Sequence, residues 1–209
     1  MYNLPHYKEK DQAAVLAFMK THPFITVIGV DANNFPVATQ VPVLIREEGQ
    51  EIHLRGHIMR SNDHHLAFEA NPSVLALFTS PHTYVSASWY SNQQQGSTWN
   101  YMTVQAHGTM SLLQEKELLE VLQDLTARFE NPASPSSFQH IPQDYLDRMT
   151  KAIVAFDIKV TRIEHVFKLS QNRDRQSFDT IVEKLAAGDA GAQYIAAEMK
   201  KCKEQLYPA

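Results

Sequence analysis

Four short segments of this 209-residue chain carry side chains suited to holding a planar, anionic ligand. In the first, Gly56-His57-Ile58-Met59-Arg60-Ser61-Asn62, the glycine permits close backbone approach and the Arg60 guanidinium fork matches a phosphate. Ser61 and Asn62 add neutral donors. The segment lies where a strand gives way to a short helix, so helix N-terminal amides could also face an anion. A strand-to-helix cap made by Asn62 or Asp63 explains the same residues, and the two roles are compatible. The second and third segments, Ser88-Trp89-Tyr90 and Thr98-Trp99-Asn100-Tyr101, set two indoles near the ends of one connection. An indole can stack on a ring or close a pocket, although core packing is the commoner reason for a tryptophan. Asn100 asks for more, since an amide at a strand start needs bonding partners. The fourth, Phe167-Lys168-Leu169-Ser170-Gln171-Asn172-Arg173, packs two cations, a hydroxyl and two amides between a strand and a helix. A solvated loop with Ser and Asn caps is its alternative.

Other chemistries lack their patterns. His53 and His57 share one strand face but lie about 13 Å apart, and His64-His65 diverge on a helix. Neither His-Glu-x-x-His nor a cysteine cluster occurs, so no metal site is expected. The chain also lacks a Gly-x-Ser-x-Gly elbow, a Gly-x-x-x-x-Gly-Lys phosphate loop and a Gly-x-Gly-x-x-Gly fingerprint. A nucleotide would therefore be held by side chains on a barrel surface. No catalytic residue can be nominated; His57 and His107 are candidates by residue type alone.

The elements that position these segments follow from periodicity. Asp11 caps a first helix that His22-Pro23 ends. Strands are expected at Phe24–Val30, Val37–Leu44, Ile52–His57, Ser73–Thr79, Thr83–Trp89 and Asn100–Leu112, with turns at Asp31–Asn34 and Glu48–Gln50. Pro42 marks a strand edge or bulge. A short helix near Leu66–Ala70 precedes Asn71-Pro72. Strands joined mostly by turns favour an antiparallel barrel over a βαβ sheet. Beyond it, Leu118, Leu122, Leu125 and Phe129 form a helical stripe, and residues 132–142 make a Pro/Ser-rich connection. A short helix at Gln143–Met149, a strand at Val154–Val160, and helices around Phe178–Leu185 and Ile195–Leu206 complete the chain. This predicts one domain, residues 1–209, with a barrel core at about 22–168 and a helical extension at about 174–207.

Composition sets outer limits. A formal net charge of −4 argues against a nucleic-acid coat without a local basic patch, and only Lys200, Lys201 and Lys203 cluster. No helix-turn-helix is evident. One cysteine, Cys202, excludes an intramolecular disulfide and a zinc site built on several thiolates. The N-terminus shows no signal pattern, and no apolar run approaches the roughly 20 residues that span a bilayer. A cytoplasmic location without membrane partners is the expectation.

Taken in order, several segments resemble one family. They are His57-Ile58-Met59-Arg60-Ser61-Asn62, Ser88-Trp89-Tyr90, Thr98-Trp99-Asn100-Tyr101 with Val104-x-Ala106-His107-Gly108, and Lys168-Leu169-Ser170-Gln171-Asn172-Arg173. So do Met1-Tyr2, Pro5, Phe24 and Pro42. Together they are similar to the PaiB-type family, described as FMN-binding negative transcriptional regulators. The resemblance reaches to about Leu185. It implies a mainly β fold with helices (β + α), an FMN-binding split β-barrel with peripheral and C-terminal helices. It further implies a homodimer with flavin between subunits. The cofactor-binding residues it implies are His57, Arg60, Ser61, Asn62, Trp99, Asn100, Lys168, Ser170, Gln171 and Asn172, with the phosphate near Arg60. Met59 and Asp63 depart from the family, which usually has a small residue and a proline there. Direct DNA binding needs a basic surface that the charge does not supply. The alternatives are an NAD(P)H-linked, FMN-dependent oxidoreductase for a small molecule, or a split barrel that binds haem or a protein.

Overall fold

The computed structural model describes residue 2 and residues 4–208. Met1, part of the N-terminal resemblance, lies outside the described residues. Period-two alternation builds β1 (Phe24–Val30), β2 (Pro36–Pro42), β3 (Leu44–Glu48), β4 (Glu51–Met59), β5 (Ser73–Val85), β6 (Thr98–Leu112) and β7 (Ile153–Lys168). Six helices join them: α1 (Gln12–Thr21), α2 (Asp63–Ala70), α3 (Glu115–Phe129), α4 (Gln143–Ala152), α5 (Arg175–Ala186) and α6 (Ala190–Leu206). The strands form one curled sheet in the order β2-β1-β5-β6-β7-β4-β3. The expected antiparallel split barrel with helices is the fold found.

Several strand boundaries differ from expectation, among them the last: β7 runs on to Lys168 rather than ending at Val160. Residues 73–85 form one strand rather than two. Pro81 donates nothing, but the Ser80 hydroxyl accepts the Met102 N–H at 2.9 Å, which carries the pairing past the proline. Trp89 then falls in a short 3₁₀ turn, Ala87–Trp89, capped by Ser86, rather than at a strand end. Conversely, the expected strand ending at Leu44 breaks at Val43, and the chain resumes as β3.

The chain divides into two compact units. One comprises Leu16–Phe78 and Gln105–Glu164. Within it α2 buries Phe68 against β1, where a Cβ on Gly29 would meet the Phe68 ring at 2.8 Å. Gly56 serves packing too: a Cβ there would lie 2.8 Å from the Phe156 ring and from the Pro42 carbonyl. Leu118, Val121 and Leu125 of α3 pack with Ile153 and Ala155 of β7. The other unit comprises Met1–Val15, Thr79–Val104 and His165–Ala209. Its core includes Phe178, Ile181 and Leu185 of α5 with Ile195 and Met199 of α6, all essentially inaccessible. No helix among the described residues is long and apolar enough to cross a membrane. No group of three His, Cys, Asp or Glu residues among them could hold a metal ion.

Candidate functional site

The ten expected ligand residues fall into two sets, each coherent within its own unit. The first lies where β4 ends and α2 begins. Asn62 is the cap: its Oδ1 accepts the His65 N–H at 3.1 Å, and Asp63 takes the first helical position. Ser61 adopts a left-handed backbone, φ 61°, and its N–H donates to His65 Nδ1 at 3.1 Å. Arg60 is pinned by its backbone N–H to the Ala152 carbonyl at 2.9 Å and by Nε to the Ile153 carbonyl at 2.8 Å. Its two terminal amino groups make no hydrogen bond or ion pair among the described residues, and the side chain is exposed. His57 is half-buried on β4; burial lowers its pKa, and its Nδ1 is buried without a partner among the described residues. Met59 is 62% exposed.

The second set is built by β6, the end of β7 and the turn that follows it. Asn100 and Ser170 are fully buried and bond each other: the amide nitrogen donates to Ser170 Oγ at 3.0 Å, and that hydroxyl lies 3.1 Å from the amide oxygen. The bonding partner an amide at this strand start requires is thus another member of the set. Gln171 is also turned inward, accepting the Leu169 N–H at 2.7 Å and donating to the Phe167 carbonyl. Asn172 is exposed, and its Oδ1 accepts the Tyr7 hydroxyl at 3.4 Å. Lys168, only 9% exposed, donates to Thr98 Oγ1 and, at 3.0 Å, to the Trp99 carbonyl. Burial and then Arg173 hold its pKa below the ordinary ammonium value. The Trp99 ring is half-exposed, with the His82 and Tyr84 rings 5.6 and 5.8 Å from it. Trp89 is half-buried in its 3₁₀ turn.

These donors fit FMN in chemistry. The free amino groups of Arg60, the Ser61 hydroxyl and the partnerless His57 Nδ1 suit a phosphate and its polar neighbours. Trp99 offers an aromatic face and Lys168 a cation for the polar edge of a flavin ring. Asn100, Ser170 and Gln171 spend their polar atoms inside the protein and position the turn. Sequence reading singled out Tyr90 and Arg173 within motifs but gave neither a ligand role. The Arg173 guanidinium stacks 4.0 Å over the buried Tyr90 ring, an arrangement visible only once strand and turn meet.

Comparison with known proteins places the chain. A family model described as "Putative FMN-binding domain" matches residues 1–162. "Protease synthase and sporulation protein PAI 2" of Bacillus subtilis (strain 168) is 32% identical over 186 residues, covering 88% of this chain and 89% of that protein. A conserved hypothetical protein of Mycobacterium tuberculosis has a similar fold, with a TM-score of 0.57 at 15% identity over 80% of this chain and 90% of its own. A FAD and heme binding protein of Mycobacterium smegmatis gives 0.55 at 17% identity over 77% and 72%.

Proposed function

Given that the chain belongs to this FMN-binding, PaiB-type family of split barrels, with FMN as its cofactor, we propose that it works as a flavin-dependent regulator. In this reading it is a homodimer with flavin at the subunit interface. The observation that carries the reading is the pinned Arg60, whose backbone N–H is fixed by the last residue of α4 and whose Nε is fixed by the first of β7, while both amino groups stay free among the described residues. Arg60, Ser61 and Asn62 receive the phosphate, with His57 beside them. Trp99 and Lys168 face the ring, and Asn100, Ser170, Gln171 and Asn172 shape the wall behind. When bound, FMN supplies one- and two-electron redox chemistry.

An apolar sheet face supports the dimer. Ile28 opposes Leu75, and Thr26 opposes Leu77, on a surface of β1 and β5 that is half-exposed, beside an exposed Phe24. Direct reading of DNA is the less supported output. α5 and α6 are joined by the short link Ala187-Gly188-Asp189, but the first turns of α6 hold Ala190, Gly191, Gln193 and Tyr194, without a cation. Lys201 and Lys203 are paired with Glu198 and Asp179. Regulation through a protein partner, in the cytoplasm, fits better.

An NAD(P)H-linked oxidoreductase is the second reading, favoured by a buried cation, Lys168, that has no carboxylate partner among the described residues. The deciding experiment is the visible spectrum of the protein with FMN, carried through gel filtration. Flavin that co-elutes at dimer size supports the reading; a protein that ignores FMN removes it. NADH turnover by the loaded protein separates the enzyme from the regulator.

A further inference from the structure

Several cations among the described residues face carboxylates. Arg55 meets Asp157, Arg46 meets Asp124, Lys20 meets Glu47 and Lys159 meets Glu51. Lys168 and Arg173 differ. Lys168 is nine-tenths buried yet has only a hydroxyl and a carbonyl as partners. Arg173 is half-buried, spends one amino group on the Gln95 side-chain oxygen, and keeps Nε buried without a partner among the described residues. Neither makes an ion pair among the described residues. The adjacent Asp174 is turned away: it caps α5, accepting from Ser177 N–H and Oγ and from the Ser91 hydroxyl, which holds its pKa at about 2.

Unused donors accumulate in the same place. Tyr90, 3% exposed, lies under the Arg173 guanidinium, and its hydroxyl has no hydrogen-bond partner among the described residues. Two aromatic rings flank the cluster: Tyr2 sits 5.6 Å from Lys168 Nζ and 6.3 Å edge-on from Tyr7. Arg173 also acts electrostatically on both Lys168 and Tyr7: burial and then Arg173 lower the Lys168 pKa, and burial raises the Tyr7 pKa against an opposing effect of Arg173. Partly desolvated positive charge without a counter-charge, with hydroxyl and guanidinium donors beside it, favours a bound anion.

We infer that Lys168, Arg173 and the Tyr90 hydroxyl form a subsite for the carboxylate or phosphate of a second small organic anion, whose apolar body rests on Tyr2 and Tyr7. The proposal uses residues of one unit only. It rests on the flavin reading in making FMN the neighbour of this ligand, and the two share Lys168.

The test is calorimetric titration with benzoate, phenyl phosphate and inorganic phosphate, with and without saturating FMN. Wild-type protein is compared with Arg173→Gln and Tyr90→Phe, and FMN affinity is measured separately for each. Saturable binding of benzoate or phenyl phosphate is expected, weakened on the order of tenfold by Arg173→Gln, with FMN affinity unchanged. Tyr90→Phe is expected to weaken the probes without lowering the Tm, because the lost hydroxyl has no internal partner. Absence of saturable binding in the wild type, or equal binding in both variants, overturns the subsite. So does a parallel loss of FMN and probe in Arg173→Gln, which would assign the cations to the flavin's own phosphate. If Lys168→Gln leaves FMN affinity intact while Arg173→Gln still loses the probes, the subsite stands and the flavin role of Lys168 falls.

Discussion

At the scale of single residues, the two histidines on one face of β4 have opposite environments. His57 is pushed toward the neutral form by burial alone. His53 has its Nδ1 2.6 Å from Asp157 Oδ2, and that hydrogen bond raises its pKa. Its Nε2 lies 3.5 Å from Glu51, an ion-pair distance without hydrogen-bond geometry. A raised folded pKa means that protonated His53 stabilises the fold. The contribution is complete below the ordinary value of 6.5 and is lost as pH rises through the higher folded value. Replacing His53 by Gln should therefore cost stability in mildly acidic urea melts, with a smaller deficit at alkaline pH; a deficit that grows with pH would refute the assignment. Arg60→Ala makes a different statement. Two charge-assisted bonds to a phosphate are worth about 1.5–3 kcal/mol each, so FMN affinity should fall by about a hundredfold or more while the Tm barely moves. Unchanged affinity, read by flavin fluorescence, would remove Arg60 from the phosphate site.

At the scale of elements, the tie between β6 and the turn after β7 is the Asn100–Ser170 pair. Ser170 sits at φ 62°, a conformation that costs a serine something and is held by its buried partner. Asn100→Val should leave the Ser170 hydroxyl buried and unsatisfied, destabilising the protein by about 1–3 kcal/mol in denaturant melts. The double variant Asn100→Val with Ser170→Ala should recover part of that loss. Failure to recover any would mean the pair acts through packing rather than through its hydrogen bonds. The C-terminal helices have a simpler logic. Asp174 and Asp189 cap α5 and α6, each by accepting an N–H three residues on, and Gly188 breaks the chain between them.

At the scale of the molecule, the half-exposed face of β1 and β5 sets the oligomer prediction. Leu75→Arg places a charge where Ile28 lies opposite, and a two-fold interface repeats that charge in the partner. The variant should elute as a monomer and, if flavin bridges subunits, retain less FMN at equal protein concentration. A monomer that keeps full flavin affinity would separate the two ideas and confine the site to one subunit.

Most of the fold was legible in the sequence, because strand alternation, helical stripes and caps are local properties. The Asp11 cap, the Glu48–Gln50 turn with Gly49 at φ 65°, and β1 over Phe24–Val30 all follow from neighbours along the chain. The continuity of β5 past Pro81 was not legible, since its remedy is a hydroxyl that accepts from Met102, 22 residues away. The family motifs named which residues to watch but not what each does. Asn100, Ser170 and Gln171 have the composition of a ligand shell, and tertiary structure pairs them with protein atoms instead. Arg60 and Lys168 are both cations in motifs, yet one is exposed and the other nine-tenths buried. The physical reason is the same throughout: residue type and spacing determine which bonds a side chain can make. Only long-range packing decides which partners are within reach, and therefore which donors remain for a ligand.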